Sequence, residues 1–139
     1  MPDAESRDAA PRPGRSTSDR LRPVCIFCDI IDGFEPARIH YRDDDVIVFE
    51  NVLGWVRVML LAVPTKHMTQ MELWQDIDKV AKVAAEIGEK LCPAGYRLVS
   101  NFRNQASWLG DAHQSQDHAH IHILGGEPLG PYVNPYKGF

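Results

Sequence analysis

Three histidines near the end of the chain constrain its fold more than any other feature of the sequence. His118, His120 and His122 are separated by single apolar residues. Side chains of an extended strand alternate between two faces, so this spacing predicts that the three imidazoles share one face. Gly125 and Gly126 are predicted to end the strand. The opposite face is predicted to join a core through three apolar residues: Ala119, Ile121 and Ile123.

Placing three imidazoles side by side on one face costs free energy. Each loses hydration when it is buried, and protonated rings repel one another. The pattern therefore indicates a functional site rather than a structural one. Two chemistries fit it, metal ligation and nucleophilic or acid–base catalysis, and they can coexist.

Size and charge narrow the class of protein. The 139 residues predict a single domain, and a net charge of −4 argues against a nucleic-acid or membrane surface. The longest apolar run, residues 58–63, is too short to span a membrane. Because the first residues lack the apolar stretch of a signal peptide, we expect a cytoplasmic protein.

Composition divides the chain into three parts. Residues 1–23 contain few apolar side chains and are predicted to form a disordered tail, residues 24–126 a folded domain, and residues 127–139 a C-terminal tail. Within the domain, periodicity predicts a helical turn, four strands besides the histidine strand, and one long helix that begins at a Thr69–Glu72 capping box. The respective ranges are 25–31; 39–41, 46–50, 55–63 and 96–100; and 69–91. One long helix among several strands predicts an α+β domain with a largely antiparallel sheet.

The histidine stretch resembles the histidine triad (HIT) signature, in which three histidines alternate with apolar residues. Gln114 and Ser115 match the pair that usually precedes the signature. Residues 25–31 are similar to the opening of many bacterial members, and residues 44–51 and 63–67 resemble the strand pair that follows. The resemblance covers about residues 25–126.

This resemblance implies a HIT fold, an antiparallel sheet of about five strands with one long helix and a short N-terminal helix, paired into a homodimer. It implies that a purine nucleotide or nucleotide conjugate binds with its α-phosphate at the triad. The expected reaction is hydrolysis or transfer at a nucleoside phosphoramidate or phosphoanhydride bond, through a covalent nucleotidyl-histidine.

Residue roles follow from the matching positions. His120 takes the place of the nucleophile, and His118 and His122 flank it. A neutral imidazole can attack phosphorus when its other nitrogen donates a hydrogen bond that fixes the tautomer.

The resemblance also assigns the polar residues around the triad. Ser115 and Gln114 would contact the phosphate or the leaving group, and the Ser115 hydroxyl could pass a proton to that group. Asn101 matches an asparagine near the ribose and phosphate, and Asn51 matches a ribose-binding position.

Cys25 and Cys28 form a Cys-x-x-Cys pair, which fits half a metal site or a redox dithiol. With His67 and His118 they would complete a tetrahedral Cys₂His₂ site. Family members that keep both cysteines carry zinc at the matching positions, so the resemblance implies a structural zinc ion, and the second nitrogen of His118 is expected to orient His120. The plainer alternative is that both cysteines are small buried hydrophobes.

Three departures from the family pattern favour a second hypothesis. Met59 stands where most members have a further histidine, Gln116 and Asp117 replace an apolar pair, and residues 102–113 form a longer polar segment expected to reshape the mouth of the pocket. The alternative is therefore a catalytically altered HIT protein that acts as a nucleotide- or zinc-binding module.

Overall fold

A computed structural model describes the backbone of residues 7–8 and the full residues 25–102 and 117–131. The described strands are β1 (Arg7–Asp8), β2 (Arg38–Arg42), β3 (Val46–Glu50), β4 (Val58–Pro64), β5 (Tyr96–Val99) and β6 (Ile121–Gly125). The described helices are α1 (Ile26–Asp32), α2 (Gln70–Gln75) and α3 (Asp78–Leu91). None of these helices is long and apolar enough to cross a membrane.

The strands form one antiparallel sheet in the order β1-β2-β3-β4-β6-β5. Strands β2 to β6 are the five strands of the predicted α+β fold, and β1 adds two residues at one edge. Strand β1 belongs to the segment predicted as a disordered tail; the other residues of 1–23 lie outside the described chain. So do residues 132–139 of the predicted C-terminal tail.

The two faces of the sheet bury separate apolar clusters. On one face α3 packs against alternate residues of the central strands and against Ala119, Ile121 and Ile123, as the alternation predicted. On the other face α1 contributes Phe27 and Ile30, which pack against the remaining alternate residues of the strands: Ile47, Phe49, Leu61 and Val63. Because side chains alternate along each strand, the histidines are directed toward the α1 face.

The strand predicted over residues 55–63 begins later, at Val58. Pairing of β4 with β6 starts at Val58–Gly125, and β6 ends at Gly125, so residues 55–57 lie beyond the ladder. Gly54 has a positive φ of 60°, and Trp55 is 74% exposed. Residues 55–57 therefore lie outside the strand and follow a turn at residues 52–53.

The single long helix predicted over residues 69–91 is two helices, α2 and α3. The predicted capping box is present, with reciprocal hydrogen bonds between Thr69 and Glu72. Asp76 interrupts the helix because its backbone dihedrals, φ −147° and ψ 54°, are not helical. The predicted helical turn and the strands predicted over residues 39–41, 46–50 and 96–100 agree with the structure to within one residue at each end.

Candidate active site and metal centre

The histidine stretch enters the sheet later than predicted. The ladder of β6 begins at Ile121, so His118 and His120 precede the strand and His122 lies within it. The extended backbone before Ile121 is held by the segment around α2, because the amide of Ala119 donates to the carbonyl of Met68 at 2.8 Å.

The three rings nevertheless lie on one face. The ring centroids of His120 and His122 are 5.0 Å apart, and the rings are nearly perpendicular. The ring of Phe27, from α1, packs edge-to-face with two of the three histidines. Its centroid is 5.9 Å from that of His118 and 5.3 Å from that of His120. Helix α1 therefore forms one wall of the histidine cluster.

The two nitrogens of His118 have separate partners. Its Nε2 donates to the carbonyl oxygen of Pro64 at 2.8 Å, which leaves the lone pair on Nδ1. That Nδ1 lies 3.6 Å from the Sγ of Cys25 and 3.4 Å from the Sγ of Cys28. Burial lowers the pKa of His118 to about 4, so the ring is neutral, the form in which histidine binds a metal.

His67 completes a group of four ligand atoms. Its Nδ1 lies 3.3 Å from the Sγ of Cys28, and its ring packs edge-on against His118. The ligand atoms of Cys25, Cys28, His67 and His118 all lie within 4.8 Å of one another. These residues come from the start of α1, the segment after β4 and the segment before β6.

This geometry fits a tetrahedral metal ion. Zinc bonds of about 2.3 Å to sulfur and about 2.0 Å to nitrogen place sulfur and nitrogen ligands roughly 3.5 Å apart at tetrahedral angles. Three of the four sulfur–nitrogen separations in the group are 3.3 to 3.6 Å. The four residues can therefore bind a metal with little rearrangement. The sulfur atoms face imidazoles, so the two cysteines are not simple buried hydrophobes.

The start of α1 explains how two cysteines face one point. Cys25 is the N-cap of the helix, and its Sγ accepts a hydrogen bond from the amide of Cys28 at 3.4 Å. Residues three apart lie on the same side of a helix, so the first turn presents both sulfur atoms toward His118.

His120 is oriented by a backbone atom. Its Nδ1 donates to the carbonyl oxygen of His118 at 2.9 Å, which leaves the lone pair on Nε2. The expectation that the imidazole of His118 orients this ring is wrong, because the second nitrogen of that imidazole binds Pro64. Burial lowers the pKa of His120 despite the opposing effect of the hydrogen bond, so the ring is held neutral.

His122 provides a second neutral imidazole beside His120. Burial, and to a lesser degree the neighbouring His120, lowers the pKa of His122 to about 4. In this form one ring nitrogen can accept a proton or a hydrogen bond from a bound group.

Met59 lies close to this ring in the sheet. Register pairs Leu61 with His122 and Met59 with Leu124, so Met59 is on the histidine face, two register pairs away from His122. Its Sδ accepts a hydrogen bond from the amide of Trp55 at 3.3 Å and so stabilises the turn before β4.

Of the remaining residues predicted from the sequence, some are described by the structure and others lie outside the described residues. Asn51 follows β3, next to Met59, and its Oδ1 accepts a hydrogen bond from the amide of Leu53 at 2.9 Å. Asn101 is half-buried just after β5. Gln114 and Ser115, like Gln116 and most of the 102–113 segment, lie outside the described residues, and Asp117 is exposed.

Sequence reasoning missed Gln70, the first residue of α2. Its side chain is 3% exposed and hydrogen-bonds both the amide and the carbonyl of His120. The available signal was an uncharged polar residue directly after the Thr69 N-cap, on the side of the helix that also carries the core residue Leu73. A sequence alone does not show what such a side chain contacts.

The family model of the HIT domain matches residues 33–129, which include all three histidines of the cluster. The chain belongs to the HIT domain family. The match and the antiparallel sheet together confirm the fold that the sequence predicted.

The chain is similar to several named HIT proteins and enzymes. The purine nucleoside phosphoramidase of Escherichia coli is 33% identical over 120 residues, which cover 81% of this chain and 95% of the enzyme. A HIT family hydrolase from Clostridium thermocellum is 29% identical, with a TM-score of 0.69 over 82% of this chain and all of the hydrolase. A zinc-bound histidine triad protein from Mycobacterium smegmatis shares the fold, with 22% identity, a TM-score of 0.57 and 79% of each chain covered.

Proposed function

We propose that this HIT protein is a homodimeric, zinc-containing nucleotide hydrolase or transferase. Its substrate is a purine nucleotide conjugate with a phosphoramidate or phosphoanhydride bond at the α-phosphate. The observation that carries the proposal is the tautomer of His120, whose Nδ1–H is committed to the carbonyl of His118. The free lone pair is thereby placed on Nε2, the atom that would bond to phosphorus.

The reaction has two balanced steps. In the first, Nε2 of His120 bonds to the α-phosphorus, and the bond from phosphorus to the amine or phosphate leaving group breaks with its electron pair. The leaving group takes a proton from the Ser115 hydroxyl or from another acid at the site. In the second, water attacks the phosphorus and returns a proton to the group that protonated the leaving group. The phosphorus–nitrogen bond breaks with its electron pair on Nε2, so His120 is regenerated and a nucleoside monophosphate is released.

The surroundings of His120 suit this chemistry. The ring is 4% exposed and neutral, so its nucleophilic nitrogen is not masked by a proton. As His120 gains positive charge on bonding to phosphorus, its Nδ1–H bond to the His118 carbonyl strengthens. Stabilisation that grows along the reaction coordinate lowers the barrier rather than the ground state.

Zinc would bind to Cys25, Cys28, His67 and His118. With four protein ligands the site is closed, so the ion would stabilise structure and would not activate water. Its effect on the reaction is indirect, because the residue that binds it through Nδ1 also presents the carbonyl that orients His120.

The test is hydrolysis of adenosine 5′-phosphoramidate and of an aminoacyl adenylate by wild type and by His120→Ala. We expect kcat/KM to fall at least about 10³-fold in the variant, because loss of a nucleophile removes the covalent route. Acid-quenched wild type should contain a nucleotidyl group on His120, detectable by mass spectrometry.

The control is His40→Ala, which removes another buried histidine, one that pairs with Glu50 away from the triad. It should retain activity. Equal rates for wild type and His120→Ala would eliminate His120 as the nucleophile.

The second candidate function, a binding module, is supported by Met59. Met59 stands at the position where most HIT proteins are expected to have a further histidine. Its sulfur accepts a hydrogen bond from the amide of Trp55, before β4. A module would bind adenosine monophosphate in calorimetry and release no product from either substrate after long incubation. A trapped nucleotidyl-enzyme would reject it.

A further inference from the structure

The buried side chain of Gln70 makes four described hydrogen bonds. Its Oε1 accepts from the amide of His120 at 3.0 Å. Its Nε2 donates to the carbonyl of His120 at 2.8 Å, to the carbonyl of Asn101 at 3.1 Å and to the hydroxyl of Ser100 at 3.1 Å. The Gln70 amide nitrogen carries two hydrogens and has three acceptors, so one hydrogen is shared between two acceptors.

The orientation of the Gln70 amide is fixed by its partners. The amide of His120 can only donate, so it requires the oxygen of Gln70. The carbonyls of His120 and Asn101 can only accept, so they require the nitrogen. A flipped amide would oppose like groups at three contacts. The side chain therefore has one satisfied arrangement in a buried environment.

These bonds replace a missing strand partner. On the side of β5, the register with β6 ends at Val99–His122, so His120 lies beyond this ladder, and Gln70 also binds Ser100 and Asn101, which follow β5. Gln70 supplies the donor and the acceptor that a neighbouring strand would give to the peptide groups of His120. The backbone that carries the imidazole is thus held by a side chain of α2.

The same side chain joins two parts of the site. It holds the segment Ser100–Asn101 against His120, and Trp74 reinforces this by donating from Nε1 to the Ser100 hydroxyl at 2.9 Å. Asn101 is the residue expected near the ribose and phosphate. One glutamine therefore sets the separation between a substrate-binding segment and the nucleophile.

We propose that Gln70 is a positioning residue for the reaction at His120. By fixing the His120 backbone, it keeps Nδ1 in reach of the His118 carbonyl and keeps Nε2 aimed at the phosphate site. The expected effect on the reaction rests on the proposed function. The hydrogen bonds between Gln70 and the backbone of His120 can be tested without measuring turnover.

The kinetic experiment compares zinc-loaded, full-length wild type with Gln70→Met, which keeps the volume and removes both hydrogen-bonding atoms. We expect kcat for adenosine 5′-phosphoramidate to fall about 100-fold, since small misplacements of a reacting group cost that much, and KM to change less than about threefold. Gln70→Asn keeps the amide but is one methylene too short, and it should show the same split.

The matched control is Leu73→Val, a buried residue of the same helix that packs in the core on the α3 face. It lowers stability without contacting His120, so kcat per folded molecule should stay within about threefold of wild type. If Leu73→Val loses as much kcat as Gln70→Met, Gln70 acts only through stability and the proposal is overturned.

Amide hydrogen exchange supplies the independent readout. In Gln70→Met the His120 amide should exchange at least about tenfold faster, while the Ala119 amide, which binds Met68, should keep its protection. Unchanged protection at His120 would overturn the proposal. A wild type that does not turn over substrate would defeat the proposed function, and the exchange comparison would still decide whether Gln70 holds His120.

Discussion

At the scale of single residues, His118 connects the two halves of the site through three different atoms. Its Nδ1 faces the cysteines, its Nε2 donates to Pro64, and its backbone carbonyl accepts from His120. A metal ligand with its second nitrogen bound to a carbonyl is held in one tautomer and one orientation. Occupation of the proposed metal site and orientation of the proposed nucleophile therefore share a residue.

The metal site predicts the behaviour of Cys28→Ser. Wild type should bind about one zinc ion per chain, and the variant should lose at least 10- to 100-fold in zinc affinity, because a hydroxyl is a poor replacement for a thiolate. Zinc content after dialysis against a competing chelator measures the effect. Cys92→Ser is the control, since Cys92 is buried beside Gly125 and lies outside the group of ligand atoms.

A Cys28→Ser protein that retains the zinc affinity of wild type would contradict this assignment. A wild type that binds no zinc and forms a reversible Cys25–Cys28 disulfide would support the redox hypothesis instead.

The shared face of the three histidines and the group of four candidate metal ligands could be predicted from the sequence, but the hydrogen bonds that orient these residues could not. Alternation placed His118, His120 and His122 on one face because strand geometry is local. The group that orients His120 is a backbone carbonyl, and its position depends on the conformation of the whole segment. Gln70 was missed for the same reason, because its partner is 50 residues away.

At the scale of elements, the turn between β2 and β3 is organised by one carboxylate. The Oδ1 of Asp43 accepts from the amides of Asp45 at 2.7 Å and Val46 at 2.8 Å, and the hydroxyl of Tyr41 donates to Oδ2 at 2.6 Å. Lys79 of α3 binds the same turn through Asp45 at 2.8 Å. The turn thus fixes the start of β3 against the helix layer.

This turn predicts a stability change at acid pH. Partial burial acts to raise the pKa of Asp43, but the hydrogen bonds from Tyr41 and the two amides outweigh it and lower the pKa below its usual value. The carboxylate therefore stabilises the fold above the unfolded pKa of about 3.9, and the stabilisation is lost as pH falls through the lower folded pKa. Urea unfolding of wild type and Asp43→Asn should show a difference in free energy that is largest near pH 7 and shrinks below pH 3.

Tyr41 gives the complementary effect at high pH. The hydrogen bond to Asp43, together with burial, raises the pKa of Tyr41 to about 12. Its contribution is present below the usual value of about 10 and is lost as pH rises toward 12. The control for Asp43→Asn is Asp44→Asn, which changes a neighbouring exposed carboxylate. If the difference in unfolding free energy between wild type and Asp43→Asn does not vary with pH, the proposed role of the Asp43 carboxylate in the turn is contradicted.

Elements were predictable where the signal was local. The capping box at Thr69 and the β-branched run of β3 formed as expected. The break at Asp76 was not predicted because apolar spacing continues across it, from Leu73 to Ile77 and Val80. Tertiary packing decides the outcome, since Gln70 must reach His120 while α3 lies along the core of the sheet.

At the scale of the whole molecule, the candidate metal centre brings together residues that are far apart in the sequence. Its ligands come from the first helix, the segment after β4 and the segment before β6, and Cys28 and His118 are 90 positions apart. The α1 face has a smaller apolar cluster than the α3 face. Zinc would therefore contribute most to the attachment of α1, which also forms a wall of the histidine cluster.

Removal of the metal should therefore lower stability and loosen one side of the molecule first. A ligand present at about 1,000 times its Kd stabilises a fold by about 4 kcal/mol, so chelation should lower Tm by about 10 °C or more. Hydrogen exchange should rise in α1 before it rises in α3, because α3 packs on the opposite face. Cys92→Ser should respond to chelation as wild type does, whereas Cys28→Ser should respond little. Uniform loss of protection in both helices would contradict a local attachment of α1 by the metal. An unchanged Tm on chelation would show that the metal does not stabilise the fold.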